Sequence, residues 1–269
     1  MLFDALVDDA AVFPPGNAAM PAAVRNHVRH AGTPCAHVVG RFCCPGTRLP
    51  ECAAELSGDA RLGVSLIVDT HAADLAAMLE FAARSRRPVI QAVEMRLPAD
   101  DAKLGPAARR LVGTLPDLPA YVEVPRQAGW RNVLDVLASA GRYAKLRTGG
   151  PTPDAFPAAA GVAAFIRGCV ERSLPFKCTA GLHRALRWQD PTLGWHHGFV
   201  NLLGAVHAAV QGGTTGDIVD RLEQTRAEGA VAALPTDDVD VKAVRSAFHG
   251  FGSCSVVEPV EDLQRLALI

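Results

Sequence analysis

The chain has 269 residues, of which 49% are hydrophobic and 20% charged, so it is long and apolar enough to fold around a full core. Its formal net charge of −1 gives no electrostatic reason to expect nucleic acid or an anionic membrane as a partner. No apolar run approaches the roughly 20 residues that span a bilayer, and the acidic start lacks the basic flank of a signal peptide. We therefore expect a cytoplasmic protein without a nucleic-acid or membrane partner.

The cysteine pattern favours reduced, packed thiols. Seven cysteines are present, and none forms a Cys-x-x-Cys motif. The adjacent pair Cys43 and Cys44 would point to opposite faces of a strand, which makes it a poor chelate and favours packing.

Short apolar runs alternate with helical patterns along the chain. Strands are predicted at residues 3–7, 35–42, 61–68, 88–95, 120–124, 143–148, 175–179 and 253–257. Helices are predicted at residues 21–30, 49–56, 71–84, 107–115, 130–140, 154–172, 199–210, 218–228, 239–248 and 260–268. Strands separated by single helices pair in parallel with right-handed crossovers.

This alternation predicts a (β/α)8 TIM barrel that forms a single domain over residues 1–269. An open doubly wound sheet is the alternative, but no Gly-x-Gly-x-x-Gly motif follows the first strand. The connection between strands 7 and 8, residues 182–251, is far longer than a normal crossover. We expect it to add helices or a lid over the mouth of the barrel.

Charged residues recur at alternate positions near the strand ends, which fixes the face that looks into the barrel. Burying several charges is costly unless they pair or serve a function, and the carboxyl ends of barrel strands are where active sites lie. We therefore predict a functional pocket, rather than a salt-bridge network alone, from Arg41, Asp69, Glu94, Glu123, Lys145, Arg147 and Lys177.

Two of these residues, Lys145 and Lys177, lie on neighbouring strands, which are about 5 Å apart in a sheet. A nearby second cation lowers the pKa of a lysine, and Arg147 adds further positive charge. One lysine could then attack a carbonyl to form an imine, while Glu94 or Glu123 moves protons through water.

Four short motifs resemble the deoxyribose-phosphate aldolase family. Lys145-Leu-Arg-Thr-Gly-Gly150 is similar to its imine-forming strand, and Phe176-Lys-Cys-Thr-Ala-Gly181 to the strand that follows. Phe42-Cys-Cys-Pro45 and Phe251-Gly-Ser-Cys-Ser255 are similar to its second strand and its final phosphate loop. Segments at residues 8–16 and 181–183 also resemble uncharacterised bacterial proteins, from which no function carries over.

This resemblance implies a class I aldolase-like lyase that needs no cofactor. Lys145 would form the imine, Lys177 would tune its pKa, and Glu94 is nearest to the family's proton-shuttling aspartate. The resemblance also implies a phosphate site at the backbone N–H groups of Gly181 and Gly252 with the side chains of Ser253 and Ser255. The full set of candidate substrate- and anion-binding residues is Arg41, Gly149, Gly150, Gly181, Gly252, Ser253, Ser255 and Asn201.

Other readings stay open. His183 follows the seventh strand and suits acid–base catalysis, because a histidine titrates near neutral pH. A metal-dependent lyase, isomerase or hydrolase could use a divalent metal ion with Glu94, Glu123, Asp69 and His183. A non-catalytic barrel that binds an anionic metabolite is the third reading. The expected partner is a small, anionic carbonyl or phosphorylated molecule, and a homo-oligomer is not excluded.

Overall fold

The computed structural model describes residues 1–98 and 103–269, and within them eight parallel strands close into a barrel. A two-stranded antiparallel hairpin lies outside it. In chain order the strands are β1 (Val7–Asp9), β2 (Val39–Pro45), β3 (Leu62–Ile67), β4 (Pro88–Arg96), β5 (Ala120–Glu123), β6 (Tyr143–Arg147), β7 (Phe176–Thr179), the hairpin strands β8 (Trp188–Asp190) and β9 (Gly194–His196), and β10 (Phe248–Ser253). The barrel follows chain order, with β10 as its eighth strand between β7 and β1, which confirms the predicted (β/α)8 fold.

Helices alternate with the strands. They are α1 (Met20–His30), α2 (Leu49–Ala54), α3 (Leu75–Ser85), α4 (Leu104–Val112), α5 (Trp130–Ser139), α6 (Ala159–Val170), α7 (Phe199–Val210), α8 (Thr215–Glu223), α9 (Ala227–Val231), α10 (Asp238–Ala247) and α11 (Val257–Arg265). Among the residues that the structure describes, no helix combines the length and the apolar character that a bilayer crossing needs.

The strands alternate between a face packed on the helices and a face turned to the barrel interior. Val124 and Leu146 lie beside Trp130 of α5 and Phe165 of α6, on the helix side. Burying a side chain of this size contributes roughly 1.5–3 kcal/mol. Lys145 neighbours Leu146 in β6 and therefore points the other way, into the interior.

The first strand differs from its prediction. Residues 3–7 were expected to form it, with Asp8 and Asp9 after its end, but β1 runs from Val7 to Asp9. Acidic residues are depleted in strands, which favoured the wrong boundary. Here both carboxylates have long-range partners, Lys177 for Asp8 and His27 for Asp9, and these contacts outweigh the local preference.

The last strand also differs. It was predicted at residues 253–257 but forms at Phe248–Ser253, because Gly250 and Gly252 resemble loop residues in the sequence. Gly250 has φ of 137°, and a Cβ atom there would lie 2.3 Å from the carbonyl oxygen of Leu6. Glycine is therefore required where β10 closes on the chain that enters β1.

The long connection before β10 contains the hairpin and helices α7 to α10, as its length predicted. Helix α7 has the predicted bounds, since it is apolar on every side and is buried over most of its length. The predicted helix at residues 218–228 is instead two helices, α8 and α9, separated by residues 224–226.

Candidate active site

Six charged side chains from five strands meet inside the barrel near the carboxyl ends of those strands. We call them the interior charge cluster: Asp8, Glu94, Glu123, Lys145, Arg147 and Lys177. Five were predicted as site residues, and Asp8 was missed because β1 had been ended too early. The signal for Asp8 was present, since it is an acidic residue at the end of the first apolar run.

Glu94 lies at the centre of the interior charge cluster. Its Oε2 atom is 3.1 Å from Nζ of Lys145, and its Oε1 atom is 2.6 Å from Nζ of Lys177. The Ser65 hydroxyl donates to Oε1 at 2.7 Å. Burial alone would raise the pKa of Glu94, but the two lysines more than offset this and hold it well below its usual range. Glu94 is therefore a buried, ionised bridge between two ammonium groups.

Lys177 is held on two sides. Its Nζ atom is 2.5 Å from Oδ2 of Asp8 and 2.6 Å from Glu94, and it lies 5.3 Å from the centre of the Tyr121 ring. Burial favours the neutral amine, yet Asp8 and Glu94 outweigh it and raise the pKa of Lys177 well above its usual value. This corrects the prediction that a neighbouring cation lowers that pKa, because a carboxylate stands between the two lysines.

Lys145 has a different setting. Its Nζ atom lies between Glu94 at 3.1 Å and Oε2 of Glu123 at 3.2 Å, and the residue is 5% exposed. Glu123 also accepts from Nε of Arg147 at 2.9 Å, and that arginine side chain is 43% exposed. Burial would raise the pKa of Glu123, but Lys145 and Arg147 lower it. Lys145 is thus buried behind Glu123 and the partly exposed side chain of Arg147.

Two residues of the predicted charged ring are not members of the interior charge cluster. Arg41, in the amino-terminal half of β2, borders it: its backbone N–H donates to Oδ1 of Asp8 at 2.7 Å, and its side chain hydrogen-bonds to Tyr121. Burial alone would lower the pKa of Arg41, but Asp8 and Tyr121 raise it. Asp69 is exposed and accepts from the backbone N–H of Thr47 at 3.1 Å.

The glycines after β6 and β7 allow two loops to pack together. A Cβ atom on Gly149 would lie 2.7 Å from the Cα atom of Gly181, and one on Gly150 would lie 2.7 Å from the Cβ atom of Ala155. The Thr148 hydroxyl donates to the Ala180 carbonyl at 2.6 Å across the same contact. The close approach of the two loops therefore explains why these positions are glycine, and an anion-binding role is not needed to explain it.

The predicted phosphate loop spans the end of β10 and the first residues between β10 and α11. The buried hydroxyl of Ser253 accepts from the N–H of Ser255 at 3.4 Å, and the hydroxyl of Ser255 accepts from the N–H of Glu258 at 3.3 Å. Gly252 pairs with Asp8 across the β1–β10 contact, and a Cβ atom there would meet nothing closer than 3.6 Å. Both serine hydroxyls thus accept hydrogen bonds from backbone N–H groups of the same segment.

The side chain of Asn201, predicted as a substrate contact, hydrogen-bonds to backbone at three points. It is buried on α7, where its Oδ1 atom accepts from the N–H of Arg187 at 2.8 Å. Its amide nitrogen donates to the carbonyls of Arg221 and Gln224, at 2.9 and 2.7 Å. These hydrogen bonds attach two segments to α7: the chain between β7 and β8, and the carboxyl-terminal end of α8.

His183 lies at a separate cleft of about 980 Å³, lined by segments that follow β1, β7 and β10. Its Nδ1 atom is 3.1 Å from Oε2 of Glu258 and 3.8 Å from Sγ of Cys254. No member of the interior charge cluster lines the cleft in the described part of the chain. The sequence analysis had predicted that His183 could act together with the barrel carboxylates, from which it is separate here.

The metal reading can be tested on the described residues. The predicted ligands Asp69 and His183 do not meet Glu94 and Glu123, but ligand atoms of Asp8, Cys43 and Glu94 lie within 4.8 Å of one another. Lys177 already contacts both carboxylates of that group, and burial raises the pKa of the Cys43 thiol well above its usual value. A protonated thiol beside an ammonium group does not fit a divalent cation.

No protein-family model matches the chain, and no curated protein matches it in sequence. Among solved structures, the chain is similar to a dihydropteroate synthase of Xanthomonas albilineans in complex with indole-2-carboxylic acid and 6-chloroguanine. The sequences are 12% identical, the alignment covers 100% of this chain and 94% of the other, and the TM-score is 0.42. A likeness this distant gives no information about the site or its substrate.

Proposed function

We propose that the chain is a barrel enzyme of the aldolase-like lyase class, which makes or breaks a bond beside a carbonyl group through an imine on Lys145. The observation that carries this proposal is the position of Nζ of Lys145 between two carboxylates, at 3.1 Å from Glu94 and 3.2 Å from Glu123. Lysine becomes a nucleophile only after it loses a proton, and Glu123 can accept that proton once substrate entry draws Arg147 away from it.

The steps follow from that geometry. Once Arg147 has moved away from Glu123, that carboxylate takes a proton from Lys145, and the free amine adds to the carbonyl carbon of the substrate. The resulting carbinolamine loses water, with the proton returned by a carboxylate, and leaves an iminium ion. In the cleavage direction Glu94 or Glu123 takes the proton of the substrate's β-hydroxyl, and the C–C bond breaks to give an aldehyde and an enamine, with the iminium nitrogen receiving the electron pair. The enamine is protonated at carbon, and water hydrolyses the imine to release the second carbonyl product and restore Lys145.

Lys177 supports the reaction without forming the imine. It is 2% exposed and clamped by Asp8 and Glu94, so its role is to keep Glu94 ionised and oriented. Arg147 is the cation of the interior charge cluster that reaches solvent, and it is placed to bind the anionic group of a small substrate. Substrate entry requires Arg147 to move away from Glu123, which exposes Lys145.

Reductive trapping tests the proposal. The chain has four lysines, Lys103, Lys145, Lys177 and Lys242, so peptide mapping can assign an adduct. Incubation with pyruvate, acetaldehyde or dihydroxyacetone phosphate, each with borohydride, is expected to label Lys145. Lys145→Met should abolish trapping at the barrel, whereas Lys242→Met, at an exposed lysine of α10, should leave it unchanged. Labelling at Lys177 instead, or equal labelling of Lys145 and Lys242, would contradict the proposal.

A further inference from the structure

Three residues of the cleft bring a thiol, an imidazole and a carboxylate together. Sγ of Cys254 lies beside the His183 ring, 3.8 Å from Nδ1 and 3.9 Å from Nε2, and Nδ1 also lies 3.1 Å from Oε2 of Glu258. The contact with Cys254, together with Glu258, raises the pKa of His183 although burial opposes it. An imidazole that contacts a carboxylate and lies against a thiol is a base within reach of a cysteine nucleophile, and turning the Cys254 side chain toward Nε2 would complete the pairing that activates it.

The cleft wall contains polar atoms that lack a protein partner. Nε1 of Trp188 and Nη1 of Arg187 are buried without a hydrogen bond in the described part of the chain. His196 is only 5% exposed and is packed between the rings of Phe156 and Trp188. Buried polar groups are normally satisfied, so two such atoms on residues that line one cleft favour a polar ligand there.

A positively charged side chain in the cleft indicates the charge of the ligand. The Arg184 guanidinium lies 4.1 Å from the centre of the Trp188 ring. In the described residues it forms no ion pair with a carboxylate, whereas Arg187 lies 3.8 Å from Glu223. A guanidinium in this position suits a carboxylate or phosphate group on the ligand.

We propose that the cleft is a second catalytic site, where Cys254 is the nucleophile, His183 the base and Glu258 the positioning residue, and that it hydrolyses an anionic ester or thioester. The Cys254 sulfur attacks the carbonyl carbon while His183 takes the S–H proton. The bond to the leaving group breaks, and that group leaves with the proton from His183. Water then adds to the acyl-cysteine, which releases the carboxylic acid and restores the thiol.

Thiol alkylation tests the nucleophile. Five cysteines are buried, which leaves Cys35 and Cys254, both half-buried, to react in the folded protein. With iodoacetamide at pH 7, Cys254 should react at least about tenfold faster than Cys35. His183→Gln should reduce the Cys254 rate to that of Cys35, and Glu258→Gln should reduce it partly. The unchanged Cys35 rate reports that each variant is folded.

Two small esters test the substrate class. Mass spectrometry should find an acyl adduct on Cys254 with p-nitrophenyl acetate, and faster adduct formation with the negatively charged p-nitrophenyl hemisuccinate. Arg184→Met should remove that preference. Equal alkylation of Cys254 and Cys35, no effect of His183→Gln, or no acyl adduct would each overturn the proposal. Lys145→Met should leave all of these readouts unchanged, so the proposal for this cleft and the proposal of an imine on Lys145 can be confirmed or contradicted independently.

Discussion

Glu94 is the residue on which the interior charge cluster depends most. It is 2% exposed and is the common partner of both barrel lysines. The sequence could predict its inward orientation, because Glu94 and Arg96 alternate with apolar residues at the end of β4. It could not predict that Glu94 separates the lysines, since that depends on how far each side chain reaches across the interior.

Glu94→Gln should lower the free energy of unfolding by about 3–5 kcal/mol, because it leaves two buried ammonium groups with one carboxylate fewer. Urea unfolding at pH 7 measures the change. The matched control is Glu80→Gln on α3, which removes an exposed ion pair with Arg84 and should cost less than about 1 kcal/mol. Equal losses for the two variants would contradict the account of Glu94 as a buried bridge.

At the scale of elements, the sequence predicted the centre of the barrel better than its closure. Strands β2 to β7 have apolar residues on the helix side and were found within a few residues of their observed bounds. The two strands that close the ring do not resemble strands locally, because β1 contains Asp8 and Asp9 and β10 contains Gly250 and Gly252. Their pairing is decided by residues more than 200 positions apart.

The loops after β6 and β7 provide an element-scale prediction. Gly149→Ala should destabilise the protein, because the added Cβ atom would lie 2.7 Å from the backbone of Gly181 and force the loops apart. Gly161→Ala is the control, since a Cβ atom on that exposed position of α6 meets nothing within 4 Å. The control should stabilise the protein by roughly 0.5–1 kcal/mol. Thermal unfolding of both variants distinguishes loop contact from a general effect of replacing glycine.

At the scale of the whole molecule, the buried His197 and the half-buried His249 should control stability in mild acid. Burial lowers the pKa of His197 to about 4, and burial together with Arg245 lowers that of His249 to about 4. The unfolded chain binds these protons near pH 6.5, so the free energy of unfolding should fall as the pH drops from about 6.5 to 4. Each histidine should contribute up to about 1.4 kcal/mol per pH unit to the slope.

Urea unfolding between pH 4.5 and 7.5 measures that slope. His249→Gln should reduce it, and His71→Gln, at an exposed position, should leave it as in the wild type. Below about pH 4.3 the unfolded glutamates gain protons while Glu94 and Glu123 resist them, because both have a lowered pKa, and stability should fall further. A flat profile between pH 6.5 and 4.5 would contradict the assignment of neutral, buried imidazoles.

The order of charges along the chain has a consequence for synthesis on the ribosome. Asp8, Glu94 and Glu123 all emerge before Lys145, and Lys177 comes later still. A nascent chain that stops short of residue 145 would have to enclose three acids without either ammonium counterion, at a cost of several kcal/mol per ion. The first five strands alone should therefore stay open to proteases, and the nascent barrel should become resistant only after β7 has left the exit tunnel.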